Sequence, residues 1–297
     1  MQQNEVILAL IDRKRKGIFC MDAILKFFEQ IFAMIMSFFM IFNPPAEPHD
    51  TFFDPVTVNG ITQTGVVKIE KNGGCRIVEG GCTDGKYIYV SLLNPKPEDD
   101  PASVILKINP ADGSTVAKSG LLHIDHANDM TYNSSTGEIV ICNNIPRRKL
   151  ITFLDPAALE IKRTIETATE IFSIEYMPEE DFYYCGIAST YDYAKFTKDF
   201  ELTEKYTGID NGCVRQSMTH RGTDTYHLYY KTNCIYRYDA SGKCTGTMTL
   251  PIQQNEAENL FFIGDVFYVV YNFLGEDNGG AVYKVENPAF NQLTTAA

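Results

Sequence analysis

The side chains best suited to chemistry in this sequence are concentrated between His126 and Asn133. An imidazole, an amide and a carboxylate stand close together there, on His126, Asn128 and Asp129. Amide and carboxylate oxygens are ligands that Ca²⁺ prefers, and the ion takes roughly six to eight of them. A neutral imidazole beside carboxylates can instead accept a proton as a general base, or hold a polar ligand. The stretch therefore predicts a polar site that serves binding or proton transfer.

The segment 127–130 recurs along the chain, which predicts a repeat protein. Its counterparts are Glu79-Gly80-Gly81-Cys82, Ile171-Phe172-Ser173-Ile174, Arg215-Gln216-Ser217-Met218 and Ala257-Glu258-Asn259-Leu260. Each copy is followed by a turn and by further runs rich in β-branched and aromatic residues, and repeated units of four antiparallel strands are typical of propeller blades. The sequence therefore predicts an all-β protein, a five-bladed β-propeller rather than a six-bladed one.

The last copy ends after its third strand, Ala281 to Val285, so that one blade lacks its outer strand. We expect the missing strand to come from upstream, from Gly65 to Ile69 or its neighbours. A closure of this kind joins the two ends of the propeller in one blade and removes exposed sheet edges.

The first strand of each blade lines the central channel of a propeller, so equivalent positions converge on one ring. The predicted ligand-binding residues are Glu79, His126, Asn128, Asp129, Arg215, Gln216, Glu258 and Asn259. Within this set, Asn128, Asp129 and Glu258 are the candidate calcium ligands, and His126 is the candidate catalytic base. The alternative is a structural role, in which these polar groups hydrogen-bond to strand ends and loops. We expect Asp129→Ala to leave the fold intact, because it removes one of several like charges.

The net charge of −12 excludes a nucleic-acid partner, because phosphate binding needs clustered Lys and Arg. Known catalytic signatures such as a phosphate loop, a nucleophile elbow or an HExxH pattern do not occur in the sequence. No known catalytic motif therefore assigns a reaction to the predicted ring, and its role has to be inferred from the types of its side chains.

Residues 1–50 differ in composition from the predicted propeller, residues 51–297. The run from Ile31 to Phe42 is apolar apart from Ser37, and it predicts a hydrophobic α-helix that ends at a proline-rich linker. Three roles remain open: a membrane anchor with the basic cluster 13–16 on the cytoplasmic side, an interfacial or self-associating helix, and a cleaved signal peptide. Membrane lipid or copies of the same helix are the predicted partners. The predicted location is the cell surface, with the cytoplasmic side of a membrane as the alternative.

Four segments carry a resemblance to known proteins: 79–87, 126–133, 215–218 and 256–261. They resemble a group of uncharacterised bacterial β-propeller proteins. The chain is similar, more distantly, to NHL-repeat, teichoic-acid-protein-C-like and gluconolactonase-like propellers. In the lactonase-like relatives an Asn-Asp pair at the head of an inner strand belongs to a calcium site, so the resemblance implies calcium at Asn128 and Asp129. Those relatives have six blades, whereas this sequence contains five copies.

These observations predict a membrane-tethered propeller of the cell envelope that binds a small polar or glycan-like ligand in its axial channel. A calcium-dependent hydrolase or lactonase that uses the same channel is the alternative. A self-assembling structural protein organised by the N-terminal helix is the third hypothesis.

The apolar run generates a direct prediction about solubility. Exposing the segment from Ile31 to Phe42 would leave an apolar patch larger than the few hundred Å² that a soluble monomer tolerates. We therefore expect the full-length chain to need detergent or to form oligomers, and a chain that begins near Glu47 to be a soluble monomer. Size-exclusion chromatography with light scattering checks both. A full-length chain that runs as a monomer without detergent would contradict the prediction.

Overall fold

A computed structural model of the chain describes residues 30–31, 51–98, 100–187, 190–213, 215–275 and 278–291. The internal contacts divide the chain into Met1–Thr51 and Phe52–Ala297, and all strands of the described residues belong to the second unit. Apart from Gln30 and Ile31, the predicted N-terminal helix lies outside the described residues. Among the residues that are described, no helix has the length and apolar character of a membrane span.

The described residues form five antiparallel sheets, which confirms the predicted five-bladed propeller. A short 3₁₀ helix, Thr51–Phe53, precedes β1 (Val56–Val58) and β2 (Ile61–Ile69). The first blade contains β3 (Ile77–Thr83), β4 (Ile88–Asn94), β5 (Ala102–Ile108) and β6 (Thr115–Lys118). The second contains β7 (Asp129–Asn133), β8 (Glu138–Cys142), β9 (Leu150–Asp155) and β10 (Glu160–Glu166). The third contains β11 (Ile171–Met177), β12 (Phe182–Ile187), β13 (Tyr193–Thr197) and β14 (Leu202–Tyr206). The fourth contains β15 (Arg215–Arg221), β16 (Asp224–Tyr229), β17 (Cys234–Tyr238) and β18 (Cys244–Thr249).

The fifth blade closes the ring with strands from both ends of the described propeller. Its order is β1, β2, β21 (Gly280–Glu286), β20 (Val266–Asn272) and β19 (Glu256–Ile263). The antiparallel pairing of β2 with β21 confirms the predicted closure. Gln63 fastens β2 from within, because its buried amide hydrogen-bonds to the Tyr271 hydroxyl at 2.9 Å and accepts from the Ile252 amide at 3.0 Å.

Apolar side chains fill the spaces between neighbouring blades. One cluster joins Val140 and Cys142 of the second blade to Ile174 and Tyr183 of the third, and another joins Leu228 of the fourth blade to the closing blade. The inner strands are thus buried along most of their length, including most of their polar residues. Outer strands such as β10 are exposed along most of their length. The core lies in a ring around the axis and leaves the channel to polar groups.

The closure predicts that the propeller cannot tolerate loss of β2. Deleting residues 60–72 would expose the whole edge of β21 and remove the partners of Gln63, so we expect insoluble protein. A variant with those residues replaced by a Gly-Ser linker of equal length controls for chain length and should behave likewise, whereas Thr64→Ser should remain soluble. The check is the soluble fraction in the buffer that keeps the parent chain in solution. Soluble deletion protein that unfolds cooperatively would contradict the predicted role of β2.

Candidate functional site

The five inner strands, β3, β7, β11, β15 and β19, run in one direction along the channel and bring their side chains together at three levels. At the first level the Asn128 amide reaches the carbonyls of Phe172 and Gln216. At the second, Asp129 faces the amides of Ile174 and Met218. At the third, Thr131 contacts Glu175 and the amide of Tyr176. We call the end where the inner strands begin the leading end and the end where they finish the trailing end.

A bulge at the start of four inner strands decides which side chains enter the leading end. The pairing register shifts between Val78 and Gly81 in β3, and at the corresponding places in β11, β15 and β19. A bulge inserts an unpaired residue and re-aims its side chain. Phe172, Gln216 and Glu258 occupy those inserted positions, and they are the predicted equivalents of Asn128.

Gly80 holds the equivalent position in the first blade because nothing larger fits. A Cβ atom built there would lie 2.3 Å from the carbonyl oxygen of Ala127. The Gly80 amide donates to that same carbonyl at 3.0 Å. Contact between the first two blades therefore requires glycine at this position.

Asp129 occupies the middle level and is completely buried. Its carboxylate accepts hydrogen bonds from the amides of Met130, Ile174 and Met218 at 3.0, 2.8 and 3.2 Å. It also accepts from the Ser217 hydroxyl at 2.9 Å and from the Asn259 amide. Burial raises the pKa of Asp129 well above its ordinary value, and the bonds from Ile174, Ser217 and Met218 oppose that shift. All five partners are donors, so Asp129 joins its own blade to three others.

The leading end gathers three carboxyl groups, those of Glu79, Glu256 and Glu258, and Glu258 is buried. Gln216 donates a hydrogen bond to Glu258 from its side-chain amide. Burial and the charges of Glu79 and Glu256 raise the pKa of Glu258 well above its ordinary value. His126 stands beside this group, with its Nδ1 3.5 Å from a Glu79 oxygen. Burial lowers the pKa of His126, but Glu79 and Asp125 outweigh it and the net shift is upward.

Seven of the eight predicted residues thus lie along the channel, at its leading end or middle level. Asn128 and Asn259 take part in the hydrogen bonds that tie blades together, through Phe172 and Asp129 respectively. Glu79, His126, Gln216 and Glu258 form the leading-end group. Their role in ligand binding stays a prediction.

Arg215 is the predicted residue that points elsewhere. It precedes the bulge of β15, and its buried guanidinium donates to His227 Nδ1 at 3.0 Å. Two further bonds reach the carbonyls of Tyr191 and Asp192, at 2.6 and 2.7 Å. Arg215 therefore fastens the third blade to the fourth.

Two of the three candidate calcium ligands, Asn128 and Asp129, already use side-chain oxygens in hydrogen bonds within the protein. The Asp129 carboxylate is occupied by five donors. The Asn128 side-chain oxygen accepts from Asn144 at 2.8 Å. Within the described part of the chain, no group of three or more His, Cys, Asp or Glu side chains is arranged to hold a metal ion. Asn128 and Asp129 are thus engaged in contacts within the protein, and the calcium site stays a prediction.

The trailing end contains a cavity of about 280 Å³ to which all five inner strands contribute. Its polar lining comprises Thr83, Thr131, Tyr132, Ser134, Glu175, Thr219, His220 and Arg221. Its apolar lining includes Met130, Leu260, Phe261 and Phe262. Pockets for drug-sized ligands span roughly 300–1,000 Å³. The cavity therefore suits a smaller molecule that has both polar and apolar surfaces.

A carboxylate and an imidazole form the centre of this cavity. Glu175 accepts from the Thr131 hydroxyl at 2.8 Å and from the His220 amide at 3.2 Å. The Nδ1 atom of His220 lies 2.6 Å from the same carboxylate. Among the described residues no partner contacts Nε2 of His220, and the side chain is 20% exposed. Glu175 thus fixes the ring and leaves Nε2 accessible from the cavity.

The charge of Glu175 also changes the acidity of His220. Burial lowers the pKa of the imidazole, but the hydrogen bond and charge of Glu175 outweigh it, and the net shift is upward. His220 therefore takes up a proton more readily than a free histidine. Nε2 can donate a hydrogen bond when the ring is charged and accept one when it is neutral.

Sequence reasoning missed both Glu175 and His220, although one signal was present. Glu175 interrupts the otherwise uncharged run Ile171–Met177, and a charged residue inside a buried strand needs a partner. His220 stands near the end of β15, beyond the recurring segment that drew attention to the leading end.

The comparisons with known proteins support the fold. No protein-family model matches the chain, and no curated protein is significantly similar to it in sequence. Among solved structures, the chain is similar to the glutaminyl cyclase of Myxococcus xanthus, with a TM-score of 0.52 and 8% identity over 76% of this chain and 97% of that one.

Two lyases show a weaker likeness. A streptogramin B lyase matches with a TM-score of 0.46 and 8% identity, over 81% of this chain and 99% of that one. A catalytically inactive virginiamycin B lyase from Staphylococcus aureus, solved with quinupristin, matches with a TM-score of 0.43 and 12% identity, over 80% and 82%. The likeness to the glutaminyl cyclase, at 8% identity, concerns the fold alone and agrees with the distant resemblance to β-propellers.

The contacts of Asp129 reverse the expectation drawn from sequence. Asp129→Ala leaves two buried amides, those of Ile174 and Met218, without acceptors. We expect the free energy of unfolding to fall by about 3 kcal/mol or more. Denaturant unfolding measures the change, and Asp199→Ala, at an exposed position, is the control and should stay within about 0.5 kcal/mol. Equal stabilities for the two variants would contradict this role.

The raised pKa of Glu258 predicts that the stability of the protein depends on pH. Its pKa is raised in the folded protein, so its contribution to stability is complete below the unfolded pKa and is lost as the pH rises through the folded pKa. Glu258→Gln removes that loss and keeps a partner for Gln216. We expect the variant to gain stability relative to the parent as the pH rises from 4.5 to neutral.

Urea unfolding at several pH values checks the gain in the Glu258→Gln variant. The exposed Glu201→Gln is the matched control and should show no such trend. A stability difference between Glu258→Gln and the parent that is independent of pH, or that shrinks as the pH rises, would contradict the argument.

Proposed function

We propose that this protein is a binding module whose trailing-end cavity holds a small neutral ligand rich in hydroxyl groups. The observation that carries the proposal is the Glu175–His220 pair, held at 2.6 Å in an axial cavity that five inner strands line. A preformed concave site with a few fixed polar groups is the usual form of a small-molecule site.

The charges of the cavity argue for a neutral ligand. Glu175 is paired with His220, and Arg221 pairs with Asp265 at 2.5 Å, so each charged group that lines the cavity already has a partner. No excess charge therefore favours an anion or a cation. Hydroxyl groups suit the remaining partners, since they donate to carboxylates and accept from imidazole or hydroxyl donors. Met130 and Leu260 give an apolar face against which a carbon skeleton can pack.

We further propose that the N-terminal segment tethers the propeller to a membrane of the cell envelope, where glycan-like ligands are exposed. The support is the apolar run from Ile31 to Phe42, which favours lipid or self-association. Tethering and ligand binding are separate proposals, because the cavity residues all lie in the unit Phe52–Ala297.

Hydrolysis is the second candidate, and the accessible Nε2 of His220 favours it. A histidine oriented by a carboxylate can take a proton from water as the water attacks a substrate, and then return it to the leaving group. If the protein hydrolyses p-nitrophenyl esters or glycosides, His220→Gln should lower the rate by about 100-fold, whereas His126→Gln should not.

A thermal-shift screen of the full-length chain against small polyols and monosaccharides tests the binding proposal. A ligand at about 100 times its dissociation constant adds about 2.7 kcal/mol, so we expect a rise of several degrees in Tm. Glu175→Gln and His220→Gln should lose this rise. His126→Gln is the matched control, because that histidine faces a carboxylate at the other end of the channel, and it should keep the rise.

The variants must unfold cooperatively without ligand for the comparison to hold. A panel in which no compound raises Tm would contradict the proposal. So would a rise that survives in His220→Gln and disappears in His126→Gln, since the ligand would then occupy the leading end.

A further inference from the structure

A second cavity, of about 230 Å³, opens between the third and fourth blades. Neighbouring residues in the sequence line the two cavities. Tyr176 and Arg221 border the axial cavity, and the residues that follow them, Met177 and Gly222, border the second cavity. The cavities are therefore neighbours at the trailing end of the propeller. A ligand that extends outward from the axis along this blade boundary would reach the second cavity.

Aromatic rings form the floor of the second cavity. Tyr184 makes edge-to-face contacts with Phe182 and Tyr206, with ring centroids 4.9 and 5.8 Å apart. Tyr206 in turn stacks on Tyr193, with centroids 4.9 Å apart. The turn at Gly242 permits this position of Tyr206, because a Cβ atom there would lie 2.7 Å from the Tyr206 ring. The rings are thus fixed before any ligand arrives.

Charged groups form the rim. Lys195 pairs with Glu180 at 2.8 Å, and its ammonium lies 3.8 Å from the centroid of the Phe182 ring. Glu179 also lines the cavity and is exposed. The rim thus has two carboxylates and one ammonium group, so a phosphate or a carboxylate finds no favourable field. A wholly apolar ligand would cover these charges without satisfying them.

A molecule with an apolar face and a polar edge fits both the rings of the floor and the charged groups of the rim. A pyranose ring is built in this way: its polarised C–H groups suit the negative face of an aromatic ring, and its hydroxyls suit a carboxylate and an ammonium group. We propose that the second cavity is a sugar subsite and that the ligand is a neutral oligosaccharide, with one ring in the axial cavity and the next on Tyr184. This inference rests on the proposed function and makes its ligand class specific.

The test uses the full-length chain and a printed array of neutral mono-, di- and tetrasaccharides, followed by calorimetric titration of the best disaccharide and of its component monosaccharide. Tyr184→Leu removes the ring, and Tyr184→Phe keeps it as the matched control. We expect Tyr184→Leu to weaken disaccharide binding roughly tenfold and to leave monosaccharide binding unchanged. Tyr184→Phe should bind both as the parent does.

Two further variants keep the outcomes distinct. Tyr206→Leu, in the outermost strand of the third blade, tests the same floor if Tyr184→Leu unfolds, and it should also weaken the disaccharide selectively. His220→Gln should weaken both sugars, because both occupy the axial cavity. Disaccharide binding that is equal in the parent and in both leucine variants overturns the subsite, and it leaves the axial proposal standing if His220→Gln still loses binding.

A failure of the proposed function gives a different pattern. If His220→Gln binds both sugars as the parent does, the axial cavity holds no ring, and both the proposed function and the bridging ligand are refuted. If no saccharide on the array binds while another polyol raises Tm through His220, the oligosaccharide inference alone is wrong.

Discussion

A fully buried carboxylate must be surrounded by donors, because the free energy of leaving such a charge unpaired exceeds what most single contacts contribute. Asp129 finds its donors in three other blades: at Ile174, at Ser217 and Met218, and at Asn259. The blades also meet through apolar surfaces, which resist separation but do not fix angles. The carboxylate adds direction, since each donor must point at one small volume on the axis.

This arrangement also divides the channel. With Asp129 and its donors across the middle level, the leading and trailing ends are chemically separate. The leading end concentrates Glu79, Glu256 and Glu258, and its amides are used in tying strands together. The trailing end keeps an imidazole nitrogen accessible from a cavity. Closure of the ring by β2 and Gln63 completes the scaffold, because a ring open at one blade would not hold the donors around Asp129 in place.

The repeat pattern was enough to predict five blades, the strand that closes them and the convergence of residues such as Asn128, Gln216 and Glu258 on one level of the channel. These follow from spacing, which the sequence carries directly. The roles of individual side chains depend on bulges at the start of the inner strands. At a bulge the regular alternation of side chains between the two faces of a strand is interrupted. Arg215 therefore points between blades, although its neighbour Gln216 enters the channel.

The character of Asp129 could not be deduced from its position in a repeat. Whether a carboxylate binds a ligand or holds a fold depends on how many donors reach it, and those of Asp129 come from residues up to 130 positions away in sequence. Glu175 and His220 were missed for a related reason: they are 45 residues apart and meet because adjacent blades are in register. A search for charged residues inside apolar inner strands would have found Glu175.

We have proposed that ligands bind at the trailing end of the channel and not at the leading end. Crystals of the protein soaked with a library of small polyol and sugar fragments give the sharpest test, since bound density locates a binding site even when the natural ligand is unidentified. We expect fragments within hydrogen-bonding distance of His220 Nε2 and Glu175. Fragments gathered at Glu79, His126 and Glu258 instead, with the trailing cavity filled only by water, would refute the assignment.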